Sequence, residues 1–214
     1  MIYLFYTSSY QQLQAAQLEL VLHKLPFAAQ EKILRFKNWQ DAQRSLLGNM
    51  LLLKGMQVVG ADNYSLADIK YTNYKKPYFE EGLSFNISHS GAYVVCALSV
   101  DNQVGVDIEE VKRIDLQDMQ SHFSPQEWSE IIQAKDSMRT FYQHWTQKEA
   151  FLKAIGLGLS YSPEKVNFSD STITWENKKW YCKEVLLDPA YCCHVVTTAQ
   201  SSELVIEQVH LNQL

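Results

Sequence analysis

Glycine and proline are scarce in this 214-residue sequence, at eight and five residues, and no Ser/Gly-rich, Pro-rich or low-complexity stretch interrupts it. No flexible linker is therefore legible, and any boundary between parts of the chain must be tight. Long apolar runs are missing too: Met50 to Leu53 is cut by Lys54, far short of the roughly 18 residues of a membrane span. No membrane partner is expected. The opening Met1-Ile2-Tyr3-Leu4-Phe5-Tyr6 has neither the basic leader nor the cleavage site of a signal peptide, so the expected location is cytoplasmic. The four cysteines, Cys96, Cys182, Cys192 and Cys193, form no CxxC pair. They read as reduced, mostly buried thiols, and no zinc site is expected.

What is present is the composition of a globular protein with a real core: 46% hydrophobic, 12% aromatic and 20% charged residues. Net charge is −5, yet residues 24 to 76 hold nine Lys and Arg against four Asp and Glu. A basic segment on an acidic protein suits a small polyphosphorylated ligand better than a nucleic acid, which calls for a basic domain; solvated surface cations are the plainer alternative. Periodicity predicts a strand at about 2–6, a helix at 11–24, a short helix after Pro26 and a long buried helix at 41–59. Strands are predicted at 68–74, 84–88, 92–100 and 103–109, able to share one sheet. Ser124-Pro125-Gln126-Glu127 has the form of a capping box, and a further helix is predicted over 136–155, stopped by Gly156 and Gly158. Strands at about 172–176, 179–187, 191–198 and 203–210 close the chain. The fold class is α+β, in two halves meeting near residues 100–104: an amino-terminal half over 1–102 and a carboxy-terminal half over 103–214.

Within Val104-Gly105-Val106-Asp107-Ile108-Glu109, the two-residue period of a strand sets the three aliphatic side chains on one face and Asp107 with Glu109 on the other. The two carboxylates then stand about 6.6 Å apart, a pair suited to a divalent cation such as Mg²⁺; a strand end entering solvent is the alternative. Trp145, Glu149 and Lys153 are four apart, on one helix face. Glu149 and Lys153 read either as an ordinary helical pair or as a third metal carboxylate with a phosphate-binding lysine. Phe85-Asn86-Ile87-Ser88-His89-Ser90-Gly91 runs from a strand into a turn, where His89 reads either as a phosphate contact or as a hydrogen-bonded structural residue. No Ser/His/Asp triad is identifiable.

Taken together and in this order, these pieces resemble the Sfp-type 4′-phosphopantetheinyl transferases over roughly residues 26 to 160. The most specific parts are G-V-D-I-E from Gly105 to Glu109 and W-x-x-K-E-A-x-x-K-A-x-G-x-G-L from Trp145 to Leu159, supported by F-N-I-S-H-S-G, K-P-Y and D-A-x-R-S-L-L-G. The resemblance implies two similar α+β halves in one monomer, with coenzyme A in the cleft between them. It implies Mg²⁺-dependent transfer of 4′-phosphopantetheine from coenzyme A to a serine of an acyl or peptidyl carrier protein, releasing adenosine 3′,5′-bisphosphate. By motif position, Asp107, Glu109 and Glu149 would hold the metal and Lys153 would neutralise the pyrophosphate. Lys32 and His89 would lie near the 3′-phosphate, Arg44 and Lys76 would contact the nucleotide part, and Ser88 would sit beside them. Glu149 is the first candidate for general base and Glu127 the second, with helix capping as the alternative role of Glu127. Two departures stand out: Lys75 occupies a position where the family commonly has Gly, and Ala29 replaces a basic residue three positions before Lys32.

The resemblance also places the carrier protein beside the helix opening at Ser124 and the preceding loop, with Met119 and Phe123 as apolar anchors and Lys112 and Arg113 available to an acidic partner. Two rival readings remain at this level. A non-catalytic coenzyme A or nucleotide-binding module needs the basic residues but no trio of acids. A Mg²⁺-dependent phosphohydrolase needs both, since fold and metal do not fix a reaction.

Overall fold

The computed structural model describes residues 1–8, 11–200 and 203–210, and the side chain of Leu159 lies outside that description. The chain opens with β1 (Ile2–Ser8), then α1 (Ala15–Leu22), α2 (Phe27–Leu34) and α3 (Trp39–Val58). The first helix is shorter than its periodicity predicts because the Gln43 amide captures the segment before it. Gln43 accepts a hydrogen bond from the Leu13 amide and donates one to the Gln11 carbonyl, both at 2.8 Å, holding that segment outside the helix. The region predicted as a strand over 68–74 begins instead with a single 3-10 turn, Leu66–Asp68, capped by Ser65. Only β2 (Lys70–Tyr71) is extended there, and among the described residues it pairs with β3 (Pro77–Tyr78) in a two-stranded ribbon.

Next come β4 (Ser84–Ser90), β5 (Tyr93–Ser99) and β6 (Val104–Glu110). They are followed by α4 (Pro125–Gln133), α5 (Ser137–Ile155), β7 (Thr172–Trp175), β8 (Lys178–Glu184), β9 (Tyr191–Thr197) and β10 (Leu204–Gln208). These strands make two four-stranded sheets, ordered β10-β1-β5-β4 and β6-β9-β8-β7. The expectation that segments 68–74, 84–88, 92–100 and 103–109 share one sheet is thus corrected. One edge of β6 is taken by β9, with Asp107 opposite His194. The other faces β4, and the two strands are joined by side chains: the amides of Val104, Val106, Ile108 and Glu110 donate to Ser84 Oγ, Asn86 Oδ1, Ser88 Oγ and Ser90 Oγ.

Each half has the same plan. The opening strand pairs with the last strand of a later hairpin, giving β1-β5-β4 in one sheet and β6-β9-β8 in the other, while a long helix lies across it. One strand passes between the halves: β10 crosses back and pairs in parallel with β1, from Ile2 opposite Leu204 to Tyr6 opposite Gln208. Val209, just after it, is buried in the amino-terminal core with Phe5, Leu47, Leu51 and Leu98. A second core joins the halves, where Ile2, Leu4, Val95 and Ala97 meet Val104, Val106, Ile108 and Val195.

Candidate functional site

The close approach of α5 to β6 positions the site. A Cβ on Gly105 would lie 2.1 Å from the Ala150 carbonyl oxygen and 2.6 Å from the Ala154 amide, so only glycine permits this separation. Ala150 and Ala154 are small and fully buried, and the helix rests its backbone on the strand. That contact sets Glu149 and Lys153, the residues just before each alanine, beside Asp107. Val104, Val106 and Ile108 are buried in the core on one face of β6, as the strand period predicts, and Asp107 on the other face is only 2% exposed. The segment is not a strand end entering solvent.

Lys153 pairs with Asp107 from the neighbouring element and not with Glu149 on its own helix: its Nζ donates to Asp107 Oδ1 at 2.5 Å and to Ser88 Oγ at 2.9 Å. Ser88 in turn donates to Asp107 Oδ1 at 2.8 Å. Asp107 Oδ2 and Glu149 Oε1 are buried and have no hydrogen-bond partner among the described residues. Burial pushes the Glu149 carboxyl up to about 7, with Asp107 and Glu109 adding to the rise and Lys153 opposing it. Glu109 is raised too, chiefly by burial, against a hydrogen bond from Ser90 that favours its charged form. Glu149 and Glu109 each carry the charge of Asp107 among the causes of their shifts, so the acids from β6 and α5 form one electrostatic cluster. Among the described residues, no three His, Cys, Asp or Glu side chains stand as a ready-made metal-ligand group.

The predicted phosphate-binding residues divide into an assembled group and an outlying one. His89 lies within β4 and not in a turn; the strand continues to Ser90 before Gly91 bends it. Burial lowers the His89 imidazole, and the charges of Arg44 and Lys153 lower it further, so three cationic or potentially cationic groups gather there. Arg44 also donates to the Gly91 carbonyl at 2.9 Å and pairs with Asp41 at 3.3 Å. Lys76 is half-buried, and its Nζ donates to the Ala154 carbonyl at the end of α5; burial pulls its ammonium down to about 8. It borders a cleft lined by Pro77, Ser84, Gln103 and Ala154, between the halves. Lys32 stands apart, exposed on α2 with its ammonium 5.9 Å from the centre of the Tyr71 ring.

Glu127 is committed elsewhere. Its carboxylate accepts from the Ser124 amide and hydroxyl and pairs at 2.8 Å with Lys148, while the Ser124 hydroxyl accepts from the Glu127 amide. Lys148, a residue to which the sequence reading gave no role, is wholly buried and also donates to the carbonyls of Pro163 and Val166. Its signal was positional: Phe141, Trp145, Lys148 and Leu152 follow the spacing of a core stripe, and a lysine there requires a buried partner. Phe123 is corrected as a docking anchor, because it is 4% exposed and packs on Ile131, Phe141 and Trp145 in its own core. Lys112 is paired with Glu110 at 2.8 Å, Met119 is half-buried, and Arg113 is exposed.

Comparison with known proteins adds an independent line. Residues 103–209 match the 4′-phosphopantetheinyl transferase superfamily, and residues 12–101 match the family described as 4′-phosphopantetheinyl transferase, N-terminal. The 4′-phosphopantetheinyl transferase gsp of Aneurinibacillus migulanus is 35% identical over 70% of this chain and 65% of its own length. The 4′-phosphopantetheinyl transferase Sfp of Bacillus subtilis (strain 168) is 34% identical over 75% of this chain and 76% of its own length. The L-aminoadipate-semialdehyde dehydrogenase-phosphopantetheinyl transferase of Xenopus laevis is 31% identical over 71% of this chain and 56% of its own length.

Proposed function

This chain belongs to the 4′-phosphopantetheinyl transferase superfamily, and from that premise we propose that it moves the 4′-phosphopantetheine of coenzyme A onto a serine of an acyl or peptidyl carrier protein. The observation that carries the reading to these residues is the pair of buried, unpartnered carboxylate oxygens, Asp107 Oδ2 and Glu149 Oε1, beside Lys153. Such oxygens are costly unless a cation reaches them. Hard oxygen donors of this kind suit Mg²⁺, and we assign Asp107, Glu109 and Glu149 to hold it. When bound, the ion supplies Lewis-acid neutralisation of the pyrophosphate charge.

The remaining chemistry belongs to side chains of this chain. Lys153 meets the pyrophosphate. His89, as a hydrogen-bonding imidazole, and Lys32 lie near the 3′-phosphate, and Arg44 and Lys76 contact the nucleotide part with Ser88 beside them. The carrier serine Oγ attacks the β-phosphorus, its proton passes to Glu149, and the bond to the bridging oxygen breaks to release adenosine 3′,5′-bisphosphate. Glu149, beside Asp107 on the helix face that packs against β6, is placed to accept that proton, whereas Glu127, bound by Ser124 and Lys148, holds the fold. A loose phosphoryl-transfer transition state gains chiefly from such positioning and charge neutralisation.

Both halves contribute to this one site and meet at residues 102 and 103, so a monomer suffices, with coenzyme A in the cleft. We place the protein in the cytoplasm on the support of its four free, buried cysteines. We further place the carrier against the start of α4, where Arg113 and Met119 remain available.

Intact mass of an apo carrier domain after incubation with the protein, coenzyme A and Mg²⁺ tests the reading. One added phosphopantetheine, lost with EDTA, is expected; coenzyme A binding without any mass gain on acyl or peptidyl carriers overturns it. Glu149→Gln is expected to lower single-turnover transfer by roughly 10²-fold or more while coenzyme A binding survives. An active Asp107→Ala/Glu109→Ala/Glu149→Ala triple variant would sink the metal assignment.

A further inference from the structure

The seam between β4 and β6 does more than join the halves. Four alternate side chains of β4 take the four amides on the free edge of β6 in strict register. Two of these four, Ser88 and Ser90, have a second bond each, to a carboxylate of the acidic cluster. Ser88 donates to Asp107 Oδ1 at 2.8 Å, and Ser90 donates to Glu109 Oε2 at 2.6 Å while its Oγ accepts from the Glu110 amide at 3.1 Å. The hydroxyl of Ser90 is thus used in both directions, with one strand edge fixing the oxygen and the oxygen fixing the carboxylate.

The backbone carrying Ser90 is itself clamped from both halves. Gly91, at φ +53°, is packed so closely that a Cβ would lie 2.3 Å from both Glu110 Oε2 and the Tyr191 hydroxyl. Tyr191 accepts from the Ala92 amide at 3.1 Å, and Arg44 donates to the Gly91 carbonyl at 2.9 Å. These contacts hold the bend from both halves and orient the Ser90 hydroxyl toward Glu109.

We propose that Ser90 is a positioning residue: it aims the Glu109 carboxylate from the opposite half of the molecule and so makes divalent-cation affinity depend on how the halves are joined. The inference rests on the metal reading above and deepens it. Hydrogen-bond partners behind metal-binding carboxylates typically contribute about 10–100-fold in affinity. A positioning role therefore has a measurable size.

The test is Mn²⁺ binding, followed by electron paramagnetic resonance on the full chain without carrier, for the parent, Ser90→Ala, Ser90→Thr and Asp107→Asn. Coenzyme A affinity in EDTA and the thermal midpoint are measured beside it. Ser90→Ala is expected to weaken Mn²⁺ about tenfold with coenzyme A affinity unchanged, and Ser90→Thr, which keeps the hydroxyl, restores the metal. If Asp107→Asn loses Mn²⁺ and Ser90→Ala does not, the proposal falls and the metal reading stands. If Asp107→Asn binds Mn²⁺ like the parent, both fall. Joint loss of Mn²⁺, coenzyme A and thermal stability in both Ser90 variants means the residue only holds the fold, and also overturns the proposal.

Discussion

At Lys75 the backbone takes φ +65°, the left-handed region, in the tight loop where the Lys75 amide bonds the Thr72 carbonyl. This is the position at which the family resemblance leads one to expect glycine. A side chain there costs roughly 1–2 kcal/mol, more than the roughly 0.5–1 kcal/mol of extra unfolded-chain freedom that glycine brings. Lys75→Gly is expected to raise stability by about 0.5 kcal/mol, or about 1–2 °C by scanning calorimetry. A lower midpoint would mean that the lysine side chain contributes more than its strain. His194 makes a second residue-scale prediction. It is 2% exposed, with Nδ1 placed 2.7 Å from Thr146 Oγ1 and Nε2 3.5 Å from Gln147 Nε2, an arrangement suited to the neutral ring. Burial lowers it to about 4, against the pull of Glu184 and aided by His144. The unfolded chain therefore takes up this proton as pH falls through 6.5, and the folded chain does so only near 4. The contribution of His194 to stability is therefore full above about pH 6.5 and falls by on the order of 3 kcal/mol by pH 4, while Glu149, raised to about 7, shifts stability the opposite way over much of that range. The urea midpoint of His194→Gln should gain on that of the parent as pH falls from 6.5 to 4; a difference between the two that stays constant across that range would overturn the assignment.

At the scale of elements, the contact of α5 with β6 decides whether the acids and the lysine meet. Gly105→Ala must push the helix backbone away or bend the strand. Overpacking of this kind costs typically 1–3 kcal/mol, and because the helix carries Glu149 and Lys153, transfer should fall even where the variant remains folded. A variant with parental urea midpoint and parental rate would show that the spacing is not critical. Lys148 fastens α5 to α4 and to the 163–166 turn through one buried ammonium. Lys148→Met removes one partner of a buried pair, a change that costs about 3–5 kcal/mol, and a thermal midpoint within a degree of the parent would refute that weight. The motifs from Gly105 to Glu109 and from Trp145 to Leu159 were legible as strand face and helix face because local periods of two and four residues place those side chains. Their glycine and alanines were legible only as small residues; that Gly105 faces Ala150 and Ala154 is a contact between elements some 45 residues apart, which no local period encodes.

For the whole molecule, the return of β10 to β1 ties the last described residues to the first. Truncation after residue 202 removes β10 and the buried Val209 and bares the β1 edge. It is expected to lower the thermal midpoint by several degrees and to promote association through that edge, checked by calorimetry and light scattering; a monomeric truncation with parental stability would make β10 dispensable. The α+β class, the two-halved order of elements, the capping box at Ser124, the free buried cysteines and the opposed faces of β6 could all be read along the chain, since each follows from composition, caps or periodicity. That β4 and β6 join different sheets through a row of side chains, that Lys153 turns to Asp107 and not to Glu149, that Phe123 is core, and that β10 crosses back emerge only when distant elements pack together. Each of these depends on which distant partner satisfies a buried amide, charge or ring, and that choice is made by burial across the assembled chain.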